Sequence, residues 1–189
     1  MTNVLITGAN RGASLVPMSD AANLTGLGRG FTEAFLARPN HTVIAAVRDP
    51  SAASFSSLPV ATGTRLVVVK TDSTSATDAF EAVKTLQDDG ITKLDIVIAN
   101  AATNKINERV DAIKRAGDDG CWLTAFVVDP GFIQTDMGQV GADFLGIEKP
   151  PVLVKDAVAG ILKMVDRASR TTEEGTHGFF RYTGERIMF

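Results

Sequence analysis

Five short runs in this chain are apolar on both faces: Asn3–Thr7, Thr42–Val47, "RLVVVK" at 65–70, "LDIVIAN" at 94–100 and "LTAFVV" at 123–128. A strand with one face in water alternates apolar and polar residues. These runs do not, so each demands cover on both sides. Segments of helical spacing lie between them. Residues 27–37 place Leu27, Phe31, Ala34 and Phe35 on one stripe before Pro39. Residues 73–90 open on Ser and Thr, carry Ala79, Val83 and Leu86 on one face and stop at Gly90. Residues 104–117 carry Ile106, Val110 and Ile113, and 154–168 form a further helix. "GFFRYTGE", 178–185, reads as a last short strand and turn. Covered strands alternating with helices predict a doubly wound parallel α/β sheet of the Rossmann type, one domain spanning 1–189. Such sheets bind ligands beyond the carboxyl ends of their strands.

The rest of the composition excludes more than it assigns. A net charge of −3 gives no footing for nucleic acid. One cysteine, Cys121, leaves no internal disulfide, and two histidines, His41 and His177, make a His/Cys metal cluster an unexpected feature. No apolar run approaches ~18 residues, so no membrane partner is expected. The chain starts directly into "NVLIT" without a basic region or cleavage site, so a cytoplasmic protein is expected.

The most chemically suggestive segment is "TGANRGASLVPMSDAANLTGLGRG", 7–30. A strand, then glycines, then a helix start brings free N–H groups and a positive dipole end to one place, which suits a pyrophosphate. Glycine lets backbone approach phosphate without a Cβ in the way. Here the pattern is split by 13–26, which has neither period and reads as an inserted loop. Without those residues the text becomes TGANRGLGRG.

In that form the segment resembles the TGxxxGxG loop of short-chain dehydrogenases/reductases. Further blocks agree in order: "AAVRDP", "TDS", "IANAA" (Ala102 where the family usually has glycine) and "DPGFIQTDMG". Within the family the likeness is nearest to the fungal norsolorinic acid ketoreductase group. The resemblance implies an NADPH-dependent oxidoreductase acting on a small carbonyl or alcohol. It implies that Gly8, Gly12, Leu27 and Gly28 form the phosphate turn, with Asn10 and Arg11 beside it. Asp72 and Ser73 would lie against the adenine, Asn100 and Ala101 along the ribose. Pro130, Gly131 and Thr135 would hold the nicotinamide end. Arg48 follows the second strand, where arginine accommodates a 2′-phosphate and an acid would bond the free hydroxyl; NADP is therefore expected over NAD.

The family's reaction uses a serine, a tyrosine and a lysine, the last two as Tyr-x-x-x-Lys. The connection 102–120 should contain them, and it has neither tyrosine nor serine. It is too short for the family's strand and two long helices, since one βαβ unit needs roughly 30 residues. No catalytic residue is assigned. Tyr182 is the sole tyrosine, and an arginine, Arg186, stands four places on. It reads as a strand-end core residue or as a substitute acid. Lys105 and Lys114 read as a solvated helix face.

Two arrangements of the shortened sheet are open. The 123–128 strand moves into the vacated place, or the slot stays unfilled with an apolar edge. The family dimer is in doubt, because it packs through the missing helices. The insertion is expected to disturb the cradle, whose N–H groups must converge from both sides. Three functional classes follow: an impaired or inactive ketoreductase, a non-catalytic NADP(H)-binding protein, or a non-functional splice or gene-model product.

Overall fold

The computed structural model describes residues 1–10, 26–101, 124–169 and 178–188. They fall into two compact units, Met1–Ala102 and Thr103–Phe189. Arg11, Gly12, Cys121, His177, the 104–117 helix with Lys105 and Lys114, and all of the 13–26 loop but Gly26 lie outside the described residues.

The first unit runs β1 (Thr2–Thr7), α1 (Leu27–Leu36), β2 (His41–Val47), a 3-10 turn (Pro50–Ala52), β3 (Arg65–Lys70), α2 (Asp78–Asp88) and β4 (Ile96–Ile98). The strand order is β3-β2-β1-β4. Every pairing is parallel, with Val4 beside both Val43 and Ile96, and Val43 beside Leu66. This is the Rossmann order around a central first strand, and it makes the fold α/β as the apolar runs predict.

The period of two divides the sheet residues between its faces. Ile44, Ala46 and Val69 pack with Ala82 and Leu86 of α2 and with Ile91. Val4, Ile6, Val43 and Ala45 point the other way and are fully buried, as are Phe35 and Leu36 of α1. Among the described residues of this unit, one helix thus packs on each face.

The buried stripe of α2 differs from the expected Ala79–Val83–Leu86 face. Asp78, Ala82 and Leu86 are buried, Ala79 is exposed, and Val83 is half exposed. Polar bonding fixes the rotation. The Asp78 carboxylate accepts the Asp72 N–H at 3.0 Å and the Ser75 hydroxyl at 2.6 Å, and pairs with Lys70 at 3.2 Å. These bonds tie the first turn of α2 to the end of β3 and turn Ala82 and Leu86 inward.

The second unit contains β5 (Val127–Asp129), α3 (Asp136–Leu145), α4 (Val154–Arg167) and β6 (Phe179–Arg181). β5 and β6 pair in parallel as a two-stranded sheet. The expected 123–128 strand is therefore displaced to Val127–Asp129 and takes β6 as its partner. The expected 94–100 strand is reduced to three residues paired with β1. It stops where the Asn100 N–H turns back to Ile98 O, at 3.0 Å, and to the Thr7 hydroxyl.

No described helix is long and apolar enough to cross a membrane.

Candidate functional site

The site of the first unit is built where β1 and β4 end. Thr7 closes β1 with a hydroxyl that accepts the N–H groups of Asn100 at 3.0 Å and Ala101 at 2.9 Å. The Asn100 amide donates to Thr7 O at 3.1 Å. Three bonds thus join the two strand ends into one rim. Gly8 follows in the left-handed region at φ 64°, which a side chain rarely adopts. A Cβ there would stand 3.1 Å from the Ala101 Cα and 3.2 Å from the Asn100 amide nitrogen.

Gly28, in the first turn of α1, sits directly on this rim. A Cβ on it would overlap the Gly8 carbonyl oxygen and lie 2.6 Å from the Asn100 amide nitrogen. Only glycine allows α1 to start this close to β1. The Gly28 carbonyl in turn accepts the buried Thr32 hydroxyl at 2.8 Å. Gly26 is the N-cap of α1 and makes no side-chain cap bond. The first N–H groups of the helix, from Leu27 to Arg29, have no partner within the helix itself. Gly8, Leu27, Gly28, Asn100 and Ala101 are therefore assembled, although residues 13–26 lie between the two glycines in sequence. The insertion does not part them.

A second cluster flanks this rim. The Asn10 amide donates to Ala52 O at 3.0 Å, so the chain leaving Gly8 is held on the segment after β2. That segment starts at Arg48, which is exposed, and Asp49 caps the 3-10 turn through Ser51. Asp72 lies past the end of β3. The Thr74 N–H and hydroxyl hold its carboxyl below the ordinary value; burial opposes them, and the charges of Arg48 (lowering) and Asp78 (raising) add smaller effects of opposite sign. Ser73, beside it, is exposed.

The second unit carries its own group. The Asp129 carboxylate accepts the Gly131 N–H at 2.9 Å, and Gly131 turns at φ 79° after Pro130. Thr135 is the N-cap of α3: its hydroxyl accepts the Gly138 N–H at 3.1 Å, leaving its own proton to donate. The Tyr182 N–H donates to Asp129 O at 2.9 Å. Its ring lies against Gly131 on one side, where a Cβ would stand 3.2 Å from Cε1, and against Gly160 of α4 on the other. Tyr182 is thus half-buried packing at the end of β6, beside the Pro-Gly turn.

Two residues of the first site were not assigned from sequence. Thr7 is legible in retrospect as the polar residue that ends an apolar run just before Gly8. Arg29 carried no such signal; its contacts are all made to residues distant in sequence or along its own helix.

No family model matches the chain. The chain is 32% identical to norsolorinic acid ketoreductase from Aspergillus parasiticus, with 92% of this chain and 86% of that protein covered. That alignment runs over 248 positions, more than this chain has residues, so the relative carries segments with no counterpart here. Norsolorinic acid ketoreductase stcE from Emericella nidulans is 29% identical, covering 92% of this chain and 89% of that one. Short-chain dehydrogenase RED3 from Pyricularia oryzae is 25% identical, covering 92% and 93%. Among solved structures, the bulky-bulky ketone specific alcohol dehydrogenase from Comamonas testosteroni aligns with a TM-score of 0.45 and 18% identity, over 88% of this chain and 83% of that one.

Proposed function

The chain belongs to the short-chain dehydrogenase/reductase family, and from that premise we propose that it binds NADP(H) but does not carry out ketone reduction at the rate of a competent family enzyme. The family consists of oxidoreductases that use nicotinamide cofactors on small carbonyl and alcohol compounds. The observation that carries the binding half is the Gly8–Gly28 contact. It supports a cradle in which backbone alone faces a pyrophosphate, with the first N–H groups of α1 as donors.

The residues present fit the cofactor in part. Asn10, Leu27 and Gly28, with Arg11 and Gly12, would take the phosphates. Asn100 and Ala101 would border the ribose, and Asp72 and Ser73 the adenine. Arg48, exposed beyond β2, would meet a 2′-phosphate, and this favours NADP over NAD. Pro130, Gly131 and Thr135 would hold the nicotinamide end, the Thr135 proton being free to donate to its carboxamide. When bound, the reduced nicotinamide supplies a hydride.

The chain's own part in such a reaction is the proton. An alkoxide formed by hydride transfer needs an acid at hand, and general acid catalysis is worth about 10²–10⁴-fold. No Tyr-x-x-x-Lys occurs in the 189 residues. One observation favours a second reading. Tyr182 lies beside Gly131, within the segment proposed for the nicotinamide end, and would be the acid in that case.

Titration calorimetry with NADPH and NADH tests binding. NADPH is expected to bind more tightly, and Arg48→Asp to cancel the difference. Equal affinities in the unmodified chain at low salt refute the NADP preference. Turnover with a simple ketone tests catalysis. No rate above background is expected, and robust turnover lost in Tyr182→Phe would establish the second reading instead.

A further inference from the structure

Arg29 lies two residues beyond the start of α1, and its side chain has no place in the cofactor reading above. Its side chain is largely withdrawn from solvent, at 16% relative exposure. Nε donates to Glu33 at 2.9 Å, one turn along the helix. Nη1 donates to Ser54 O at 2.7 Å and to the Ser54 hydroxyl at 3.2 Å. The guanidinium centre is 5.9 Å from the ring centroid of buried Phe55. Ser54 and Phe55 end the same short segment that Arg48 begins. The other hold on that segment is the Asn10 amide on Ala52 O. Thus each half of the interrupted glycine loop is bonded to one stretch, 52–54: the first half through Asn10, the second through Arg29.

We propose that Arg29 is a positioning residue for the 2′-phosphate pocket, fixing the 48–55 segment to α1 so that Arg48 is held at one distance from the Gly8–Gly28 cradle. The inference rests on the NADP(H) reading of that cradle. Its physical basis is geometric. Arg48 is exposed, and among the described residues no hydrogen bond orients its side chain. Its position is therefore set by the backbone that carries it. That backbone is braced internally by the Asp49-capped 3-10 turn, and from outside by the Asn10 amide and by a charge-assisted bond from Arg29, the stronger kind of those two. The guanidinium presents separate donors in a fixed plane, Nε to Glu33 and Nη1 to Ser54, a geometry that a lysine ammonium reproduces only in part. The carboxylate of Glu33 offsets the Arg29 charge, so Arg29 acts through geometry and not as a further phosphate ligand. The same brace explains how α1 keeps its place against β1 across a long insertion.

The test uses two probes in titration calorimetry on the full chain: adenosine 2′,5′-bisphosphate and adenosine 5′-monophosphate. They differ only in the 2′-phosphate. Arg29→Ala is expected to weaken the bisphosphate by about tenfold, the scale of one charge-assisted hydrogen bond, and to leave the monophosphate unchanged. Arg29→Lys should restore part of the loss. In an Arg48→Ala background Arg29→Ala should have no further effect, because it acts through Arg48. Glu33→Ala, at a half-exposed position, should give a smaller loss in the same direction and serves if Arg29→Ala does not fold. Equal weakening of both probes means a merely structural role and overturns the inference, as does an unchanged bisphosphate affinity. Arg48→Ala separates the two levels. If it leaves the ratio of the probes unchanged, the NADP reading itself fails, and with it the inference. If it collapses the ratio while Arg29→Ala and Glu33→Ala do not, only the role of Arg29 is refuted.

Discussion

Replacing Gly28 by alanine tests the cradle more directly than any charged substitution. In an ordinary helix the exchange would help, since alanine is favoured over glycine by about 1 kcal/mol. Here the new methyl would overlap the Gly8 carbonyl oxygen and lie 2.8 Å from its carbon and 2.6 Å from the Asn100 amide nitrogen. Two of those atoms are backbone, and the third is bonded to Thr7 O, so none can swing aside as a free side-chain end would. Overpacking of this kind costs roughly 1–3 kcal/mol, which cancels or exceeds the propensity gain. A net loss of up to about 2 kcal/mol corresponds to a fall in melting temperature of up to roughly 8 °C for a chain of this size. The relief available to the structure is to move α1 away from β1, which opens the cradle. NADPH affinity should therefore fall by more than the stability change alone would require, and thermal unfolding with and without NADPH reads both effects. A useful contrast is Gly90→Ala. That position has open space for a Cβ but a φ of 78°, so it should cost about 1 kcal/mol of strain and leave affinity untouched. A Gly28→Ala chain as stable as the parent and binding NADPH equally well would refute the close approach on which the site depends.

Three other outcomes are expected. The Ser75 hydroxyl, the Asp72 N–H and Lys70 hold the Asp78 carboxyl below its ordinary value against burial. Its stabilisation is thus fully present above the unfolded value of about 4 and is lost as pH falls through the lower folded value. Asp78→Asn should flatten the acid limb of a denaturation series below about pH 4, and an unchanged limb would show that Asp78 does not contribute. Deleting Ala13–Gly26 should change nucleotide affinity by no more than about fivefold, the scale of loop entropy, because Gly8 and Gly28 already meet; a larger gain by calorimetry would mean that the insertion obstructs the site. Phe144 is 88% exposed and Phe35 fully buried, so Phe144→Ser should shift stability by no more than about 0.5 kcal/mol and Phe35→Ala should cost about 3–5 kcal/mol in urea denaturation.

The parts legible in sequence were those decided by local pattern. β1 and β2 are paired on both sides, β3 pairs with β2 at the end of the described sheet, and all three lie within a residue of their expected bounds. Gly8 and Gly28 could be paired because the spacing on either side of the insertion is intact. α3 was missed for a reason visible in the structure. Ala142 is its only buried residue, while Met137, Val140, Phe144 and Leu145 are exposed, so no apolar stripe marks an inward face. Gly138 also reads as a helix breaker, yet it is required there, since a Cβ would strike the Ile133 carbonyl oxygen. The face of α2 was misjudged because an aspartate, not an apolar residue, heads its buried stripe. The β5–β6 pairing joins residues about fifty apart, and nothing local in either strand names its partner.

The site divides along the same line, and the division bears on what the chain can do. Every residue proposed for the phosphates, ribose and adenine comes from the ends of β1 to β4 or the start of α1. The contacts that assemble them are made within Met1–Ala102: Thr7 to Asn100 and Ala101, Gly28 to Gly8, Asn10 to Ala52, Arg29 to Ser54. None of these bonds depends on the segment in which the family places its acid and its lysine. On the function proposed above, a chain without that segment would lack the family's proton donor and still keep the cradle. The reverse does not hold. A hydride donor is useful only when held in line with its acceptor, and a 1 Å misplacement can cost about a hundredfold even with all catalytic groups present. A chain that keeps the cradle and loses the acid can retain nucleotide affinity while its turnover collapses. A chain that keeps the acid and loses the cradle would forfeit both. Binding and catalysis are thus separable here in one direction only, and so affinity must be measured before any rate is interpreted.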